Sequence, residues 1–307
     1  MKENKRPILS ICIPTYNRGN LLKENLDKII EQILDNKLSD KVEIIISDNA
    51  SSDNTSKIVS WYWYDFLMYF KNDINIGGNK NVIKVTEYAK WEYLWLLADD
   101  DCVTDFALKY VLEIIEKENF GVMFCNTISS EKMDIQVPCN KNEYHILNWI
   151  NSFLSYLNDK NMWYKDLISY FSFYSILVIK TQYFRKWLKQ YSSMIEGNDF
   201  PQDMIAYHDL KNKKIIVPNN IMVVWRLLNE SYIWSTKLIK SFNECMNFIE
   251  ERNDLSKNKD WLRLKSICKR WWGKNIILWL IMWKLHIDYK HNRFLKRIYW
   301  LYKKYIQ

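Results

Sequence analysis

Several familiar signatures are missing from this chain. There is no G-x-G-x-x-G stretch and no P-loop, so neither of the usual glycine-rich phosphate cradles is on offer. No nucleophile elbow or related signature supports a Ser-His-Asp or Cys-His reading. The six cysteines are Cys12, Cys102, Cys125, Cys139, Cys245 and Cys268, and no two form a C-x-x-C pair. With several of them in apolar runs, they read as reduced, buried thiols of a cytosolic protein. His145, His208, His286 and His291 show no metal-ligand spacing. No apolar run reaches the roughly 18 to 20 residues that cross a bilayer. Met1 to Arg6 is polar and charged, and the first apolar run is only as long as a strand, so no signal peptide is expected. Internal repeats and low-complexity linkers are also lacking.

What is present is a chain long enough for one large domain, or one domain plus an appendage. Its net charge is +8 and it carries 15 Trp. Basic plus aromatic points to an anionic surface or an anionic ligand. The organising stretch is Tyr93-Leu94-Trp95-Leu96-Leu97-Ala98-Asp99-Asp100-Asp101. The short, two-sided apolar run reads as a central buried strand. Its acids fall at the carboxyl end, where open α/β sheets bind ligands. Three adjacent carboxylates repel one another, and a divalent cation such as Mg2+ or Mn2+ removes that penalty. A solvated acidic turn is the alternative.

The remaining pattern alternates strands and helices. Ile8 to Pro14 reads as strand one, ended by Pro14, with Thr15 to Gly19 as a loop and Asn20 as a helix cap. Leu21, Leu22, Leu26, Ile29, Ile30, Ile33 and Leu34 recur at helical spacing. Val42 to Ser47 is strand two, closing on Asp48-Asn49. Asp53 and Asn54 open a helix expected to run through the aromatics Trp61 to Tyr64. Phe66 to Lys71 is strand three, and Asn75 to Asn79 a glycine turn free to take positive φ. Val82 to Tyr88 is helical. Thr104 or Asp105 caps a helix through Ile115. Gly121 to Cys125 and Ser172 to Ile179 are strands. Thr181 caps a helix, Glu196 to Asp203 is a loop leading into another, and Lys214 to Val217 and Ile221 to Trp225 are short strands. The expected fold class is α/β, with a mostly parallel, doubly wound central sheet flanked by helices. Between Thr127 and Tyr170 the signal is thin, with helices suggested by Trp149, Phe153, Leu154, Leu157 and Trp163. The expected organisation is a catalytic domain over residues 1 to 228 and a basic, aromatic helical appendage over 229 to 307.

Four motifs in order carry a family resemblance: strand one with Pro14-Thr15-Tyr16-Asn17-Arg18, strand two with Ser47-Asp48-Asn49-Ala50-Ser51-Ser52-Asp53-Asn54-Thr55, the Asn75-Ile76-Gly77 turn, and the acidic strand end. Together they resemble family-2-type inverting glycosyltransferases with the A-type nucleotide-sugar fold, and among these the abequosyltransferase-like bacterial enzymes of surface-polysaccharide assembly. The match is full over residues 7 to 115 and thinner to Ser231.

The resemblance implies a nucleoside-diphosphate sugar donor whose base and ribose are held by Pro14, Thr15, Tyr16, Asn17, Asp48 and Asn49. Tyr16 could stack on the base and Asp48 accept from it or from a ribose hydroxyl. Arg18, Gly77 and Lys80 become the diphosphate candidates. The family's Asp-x-Asp-Asp pattern departs here, with Ala98 in the first position, which leaves open which oxygen meets ribose and which metal. Asp100 is the first choice for Mn2+ or Mg2+, Asp99 bridges ribose or metal, and Asp101 ligates or orients the acceptor. The family's catalytic base falls on Asp203 in Phe200-Pro201-Gln202-Asp203, where Gln202 replaces a glutamate. Asp199 and Glu196 are reserves.

Lys269-Arg270-Trp271-Trp272 and the apolar Ile276 to Trp283 suit a helix lying in a membrane interface, or equally a helix pair packed on the catalytic domain. The expected partner is thus a lipid-linked glycan acceptor, in lipopolysaccharide, capsule or glycoprotein assembly. The expected location is cytoplasmic, peripheral on the inner face of the membrane, with no nucleic acid bound. A nucleotidyltransferase and a non-catalytic scaffold remain the alternatives.

Overall fold

The computed structural model describes residues 8–130, 132–139, 143–160, 170–171, 173–191, 198–208, 210–226 and 236–269. Its chain begins β1 (Leu9–Thr15), α1 (Gly19–Asp35), β2 (Val42–Asp48), α2 (Thr55–Val59), β3 (Leu67–Lys71), α3 (Gly78–Glu87), β4 (Tyr93–Leu96), β5 (Cys102–Val103), α4 (Ala107–Lys117) and β6 (Val122–Phe124). It continues through β7 (Asn126–Ser130), β8 (Tyr144–Asn148), α5 (Trp149–Asp159), a 3-10 turn (Tyr174–Ile176), β9 (Leu177–Lys180), α6 (Thr181–Gln190) and α7 (Pro201–Ala206). Then come β10 (Lys214–Pro218), β11 (Ile221–Arg226), α8 (Thr236–Arg252) and a helix over 259–269, α9.

Eight strands form the main sheet in the order β3-β2-β1-β4-β9-β6-β10-β8. The strands β1 to β4 run parallel, with Ile11 opposite Ile44 on one side and Trp95 on the other. All seven residues of β1 and all four of β4 are buried. Strands covered on both faces read as continuous apolar runs, which is why these were legible in the sequence. Each such buried side chain contributes about 1.5–3 kcal/mol. Helix α1 places Leu22, Leu26, Ile29 and Ile33 on one buried stripe against that sheet.

Because β1 to β4 are parallel, their carboxyl ends share one rim. Thr15, Asp48, Lys71 and the acidic segment after Leu96 therefore come together from far apart in sequence. Strand β9 runs antiparallel to β4 and β6, so its amino end, with the 3-10 turn, reaches the same rim. A three-stranded sheet, β5-β11-β7, completes the fold.

Several local expectations shift. Pro14 does not end β1: it stays in register opposite Ser47, and the strand runs to Thr15. Asn20 lies inside α1, which begins at Gly19. A Cβ at Gly19 would stand 2.6 Å from the Asn54 side chain, so only glycine lets α1 begin this close to α2. The helix α2 stops at Val59, and Trp61 to Tyr64 lie beyond it. Neither Thr104 nor Asp105 caps α4 by a side chain. Instead the Gln32 side chain on α1 accepts from Leu108 N–H at 3.0 Å. The strand expected over Ser172 to Ile179 is shorter, because Tyr174–Ile176 forms the 3-10 turn, and Ser172 lies outside the described residues, as does Trp163. Thr181 opens α6 without a side-chain cap bond. Five cysteines are buried as expected, while Cys139 is exposed.

The described part of the basic region is packed on the sheet domain. Phe242, Cys245, Met246, Ile249, Trp261, Leu264 and Cys268 belong to the same apolar core as β1 and β4. Residues 270–307, with the apolar run Ile276 to Trp283, lie outside the described residues. Among the described residues, no helix is long and apolar enough to cross a membrane.

Candidate active site

The carboxyl rim is built from two stitched loops. The first follows β1. Its Asn17 takes a positive φ of 52°, a conformation asparagine tolerates well. Asn17 N–H donates to Ser51 Oγ at 2.8 Å, and Asn17 Oδ1 accepts from Ser52 N–H at 2.8 Å. Asp53 accepts from the N–H groups of Gly19 and Thr55. This leaves the Tyr16 ring 44% exposed on the rim, free to meet a planar ligand.

The acidic segment sits directly beside that loop. Thr15 Oγ1 donates to Asp99 Oδ2 at 2.7 Å. A single guanidinium nitrogen, Arg18 Nη1, lies 2.9 Å from Asp99 Oδ1 and 3.2 Å from Asp100 Oδ2. Arg18 thus stands as counter-ion to two neighbouring carboxylates. Sequence reading offered it as a diphosphate ligand and did not foresee this pairing. Asp101 is held elsewhere: Ser175 Oγ donates to its Oδ2 at 2.5 Å. The segment's backbone is gripped too. Asn25 of α1 donates to Ala98 O at 2.9 Å, Ala98 N–H donates to Ser175 Oγ at 2.9 Å, and Arg226 Nε donates to Asp100 O at 3.3 Å. Burial pushes the Asp99 carboxyl upward against the pull of Arg18. Burial and the adjacent Asp100 push Asp101 upward against its bond from Ser175.

Asp48 and Asn49 occupy the rim but are sealed. Asp48 Oδ1 accepts from Ser51 N–H at 2.8 Å and Oδ2 from the Tyr69 hydroxyl. Asn49 joins a chain of amides with Asn72 and Asn75, and its Oδ1 also accepts from Ile76 N–H. Gly77 has φ of 88°, which suits glycine. Lys80 is exposed in the first turn of α3.

The candidate-base loop reaches this rim through α3. Asn79 donates to Asn198 O at 3.1 Å and to Asp199 Oδ1 at 2.9 Å. Helix α8 braces the other side, where Ser241 Oγ donates to Asp199 Oδ2 at 3.0 Å. Asp199 is part-exposed. Asp203, one turn into α7, has no exposed surface. Its Oδ2 accepts from Gln202, and its Oδ1 has no hydrogen-bond partner among the described residues. Burial raises its carboxyl to about 8. Glu196 lies outside the described residues. The imidazole of His208 stacks on Trp187 with 3.6 Å between centroids, and its Nε2 lies 3.4 Å from the Tyr191 hydroxyl.

A divalent cation fits this rim in a limited way. Among the described residues, no group of three or more His, Cys, Asp or Glu side chains is arranged to hold an ion by itself. Asp100, 13% exposed at its side chain, and Asp99 offer hard oxygens. Mg2+ or Mn2+ bound through one or two carboxylates draws its other ligands from water and phosphate, so this pair suffices.

Sequence reading missed Ser175 and Asn25, whose contacts span 77 and 73 residues. No local pattern reveals such partners. Arg226, at the end of β11, reaches Asp100 O across 126 residues of sequence.

Comparison with known proteins adds the following. The description "Glycosyl transferase family 2" matches residues 10–180. An abequosyltransferase of Salmonella typhimurium is 33% identical over 115 residues, which are 36% of this chain and 33% of that protein. A GalNAc(5)-diNAcBac-PP-undecaprenol beta-1,3-glucosyltransferase of Campylobacter jejuni is 35% identical over 118 residues, 38% of this chain and 36% of its own length. The aligned part thus spans about a third of either relative. Among solved structures, S. aureus TarS 1-349 in complex with UDP-GlcNAc superposes with a TM-score of 0.56 at 18% identity, over 85% of this chain and 70% of that one. A mannosyltransferase from Pyrobaculum calidifontis in complex with GDP-Man and Mn2+ gives 0.53 at 17% identity, over 79% and 64%. At these identities the likeness shows the fold.

Proposed function

The chain belongs to glycosyl transferase family 2, and from that premise we propose that it transfers a sugar from a nucleoside diphosphate to a glycan hydroxyl with inversion. The observation that carries this reading is the meeting of Thr15, Arg18, Asp99 and Asp100 at one rim, beside an exposed Tyr16. Tyr16 offers a stacking face for the base, while Asp48 and Asn49 set the shape of the second loop beneath it. Lys80 supplies positive charge for the diphosphate as a point charge, and Arg18 adds charge at the rim from its place beside Asp99 and Asp100. Gly77 keeps the turn between them open to close approach.

In the reaction the acceptor oxygen attacks the anomeric carbon as the bond from that carbon to the diphosphate oxygen breaks. The acceptor proton passes to a carboxylate on the opposite side. Asp203 is the residue that the family pattern assigns to that proton. Asp199 is favoured by exposure, since it lies at the rim while Asp203 is enclosed. Asp100, with Asp99, would hold a divalent cation, Mn2+ or Mg2+, which when bound neutralises charge on the departing nucleoside diphosphate. Asp101, fixed by Ser175, keeps the acidic segment in place beside the acceptor.

The acceptor we propose is a lipid-linked glycan of bacterial surface-polysaccharide assembly, met at the cytoplasmic face of the membrane. Support comes from the undecaprenol-linked substrate in the Campylobacter relative's name and from the basic, aromatic sequence after Lys269.

The test is release of nucleoside diphosphate from a panel of UDP-, GDP- and dTDP-sugars with Mn2+ or Mg2+, followed by NMR of the new glycosidic bond. Metal-dependent release with inverted configuration is expected. Retained configuration would refute the single displacement. Flotation with anionic liposomes, using the full chain and a chain ending at Lys269, tests the membrane reading. Equal flotation of both forms would discard it.

A further inference from the structure

Ser175 lies outside every motif of the sequence and sits at the centre of the acidic segment's support. The β4–β9 ladder places Trp95 opposite Val178. Carried three residues further, that register sets Ala98 opposite Ser175. There a side chain takes over the ladder. The Ser175 hydroxyl accepts from Ala98 N–H at 2.9 Å and donates to Asp101 Oδ2 at 2.5 Å. The Ser175 backbone is fixed in turn, since its carbonyl accepts from Trp95 Nε1 at 2.8 Å. Ser175, Trp95 and Asp101 are all buried.

A hydroxyl has one proton. Once Ser175 Oγ accepts from Ala98 N–H, its own O–H is directed at the Asp101 carboxylate. The two bonds together fix the backbone entering the acidic segment and the side chain leaving it. Asp99 and Asp100 lie between these two fixed points. Their oxygens can face Arg18 and the rim only if the segment keeps this path.

We propose that Ser175 is a positioning residue for the acidic segment, setting how Asp99 and Asp100 meet the metal–nucleotide complex. This deepens the glycosyltransferase reading and rests on it. Ser175 touches neither donor nor acceptor in this scheme. It acts through Ala98 and Asp101.

The test compares Ser175→Ala, Asp101→Asn and the double variant in the full chain. Three readouts are taken: amide hydrogen exchange over residues 97 to 101, titration with Mn2+ plus UDP or GDP, and the KM-against-kcat split for the donor. Ser175→Ala should speed exchange at Ala98 and its neighbours. It should weaken Mn2+–nucleotide binding about tenfold or more and raise donor KM with it. The double variant should bind no worse than the more affected single, because Ser175→Ala already removes the bond to Asp101 together with the one from Ala98. Ser175→Cys, which keeps a weaker donor at the position, should recover part of the binding. The proposal is overturned if binding and KM stay at wild-type values while exchange rises. It is equally overturned if the two single losses add, or if the loss vanishes well below the variant's melting temperature. Failure of the wild type to bind any nucleotide with Mn2+ would strike the glycosyltransferase reading instead. The exchange result would still report the hydroxyl clasp.

Discussion

Two carboxylate regions of this molecule are buried with very different numbers of partners. Asp99, Asp100 and Asp101 are surrounded by donors: a threonine, a serine and a guanidinium on their oxygens, and an asparagine and a second arginine on the backbone between them. Asp203 is fully buried near Tyr207 and Cys245, and among the described residues a single amide donates to its side chain. Burial alone is unfavourable to both regions. In the first, several donors offset part of the cost and fix the direction of the oxygens, while burial still raises Asp99 and Asp101 above the ordinary aspartate value. In the second, one side-chain amide is the only donor among the described residues, and burial raises the carboxyl to about 8. The richly partnered acids and the sparsely partnered Asp203 are separable by experiment.

Asp100→Ala is the strongest test of the first region. Transfer should fall about a thousandfold or more, roughly 4 kcal/mol in the barrier, with the melting temperature nearly unchanged because Asp100 is the most exposed acid of the three. Near-native turnover with the usual metal would remove Asp100 from the site. Next come Asp203→Asn and Asp199→Asn, assayed for transfer and for donor binding. The variant that has lost the base should drop about a hundredfold to ten-thousandfold in kcat while still binding donor. Loss of donor binding in the same variant would reassign that residue to structure. If Asp203 is the base, it works only once its proton leaves, so kcat should climb as pH rises through about 8. A flat profile there would favour Asp199.

The smallest effect is on stability. Asp203 holds its proton more tightly when folded, up to about 8, than in the unfolded chain, where it titrates near the ordinary aspartate value. Between those two values the folded state carries the extra proton. Stability is therefore fullest below the unfolded value, falls as pH rises through the window, and levels off above about 8. Asp203→Asn should lessen that decline in urea unfolding measured from pH 4 to pH 9, leaving the part that Asp99 and Asp101 contribute. An unchanged slope would mean that Asp203 is not the titrating group.

Much of this was legible before any coordinates. The buried strands announced themselves because two-sided burial demands unbroken apolar runs, as in Leu9 to Ile13 and Tyr93 to Leu97. The acidic segment announced itself because three adjacent carboxylates have no place in a core. The motif order placed Thr15, Arg18 and Asp99 in one family reading. The clasp at Ser175 was hidden, and the expectation of a strand from Ser172 concealed the 3-10 turn that carries it. The same holds for Gln32, which caps a helix 76 residues away.

The division follows from the range of the forces involved. Hydrophobic periodicity and turn chemistry act over a few residues, so the sequence alone determined the parallel strands β1 to β4, the long helix α1, the family and the acids at the strand end, while β5, β7 and β8 left no local signal. Hydrogen-bond partners and burial depend on which distant segments a sheet brings side by side. Only the tertiary structure decided that Arg18 faces two aspartates, that Ser175 holds a third, and that Asp199 is part-exposed while Asp203 is fully buried.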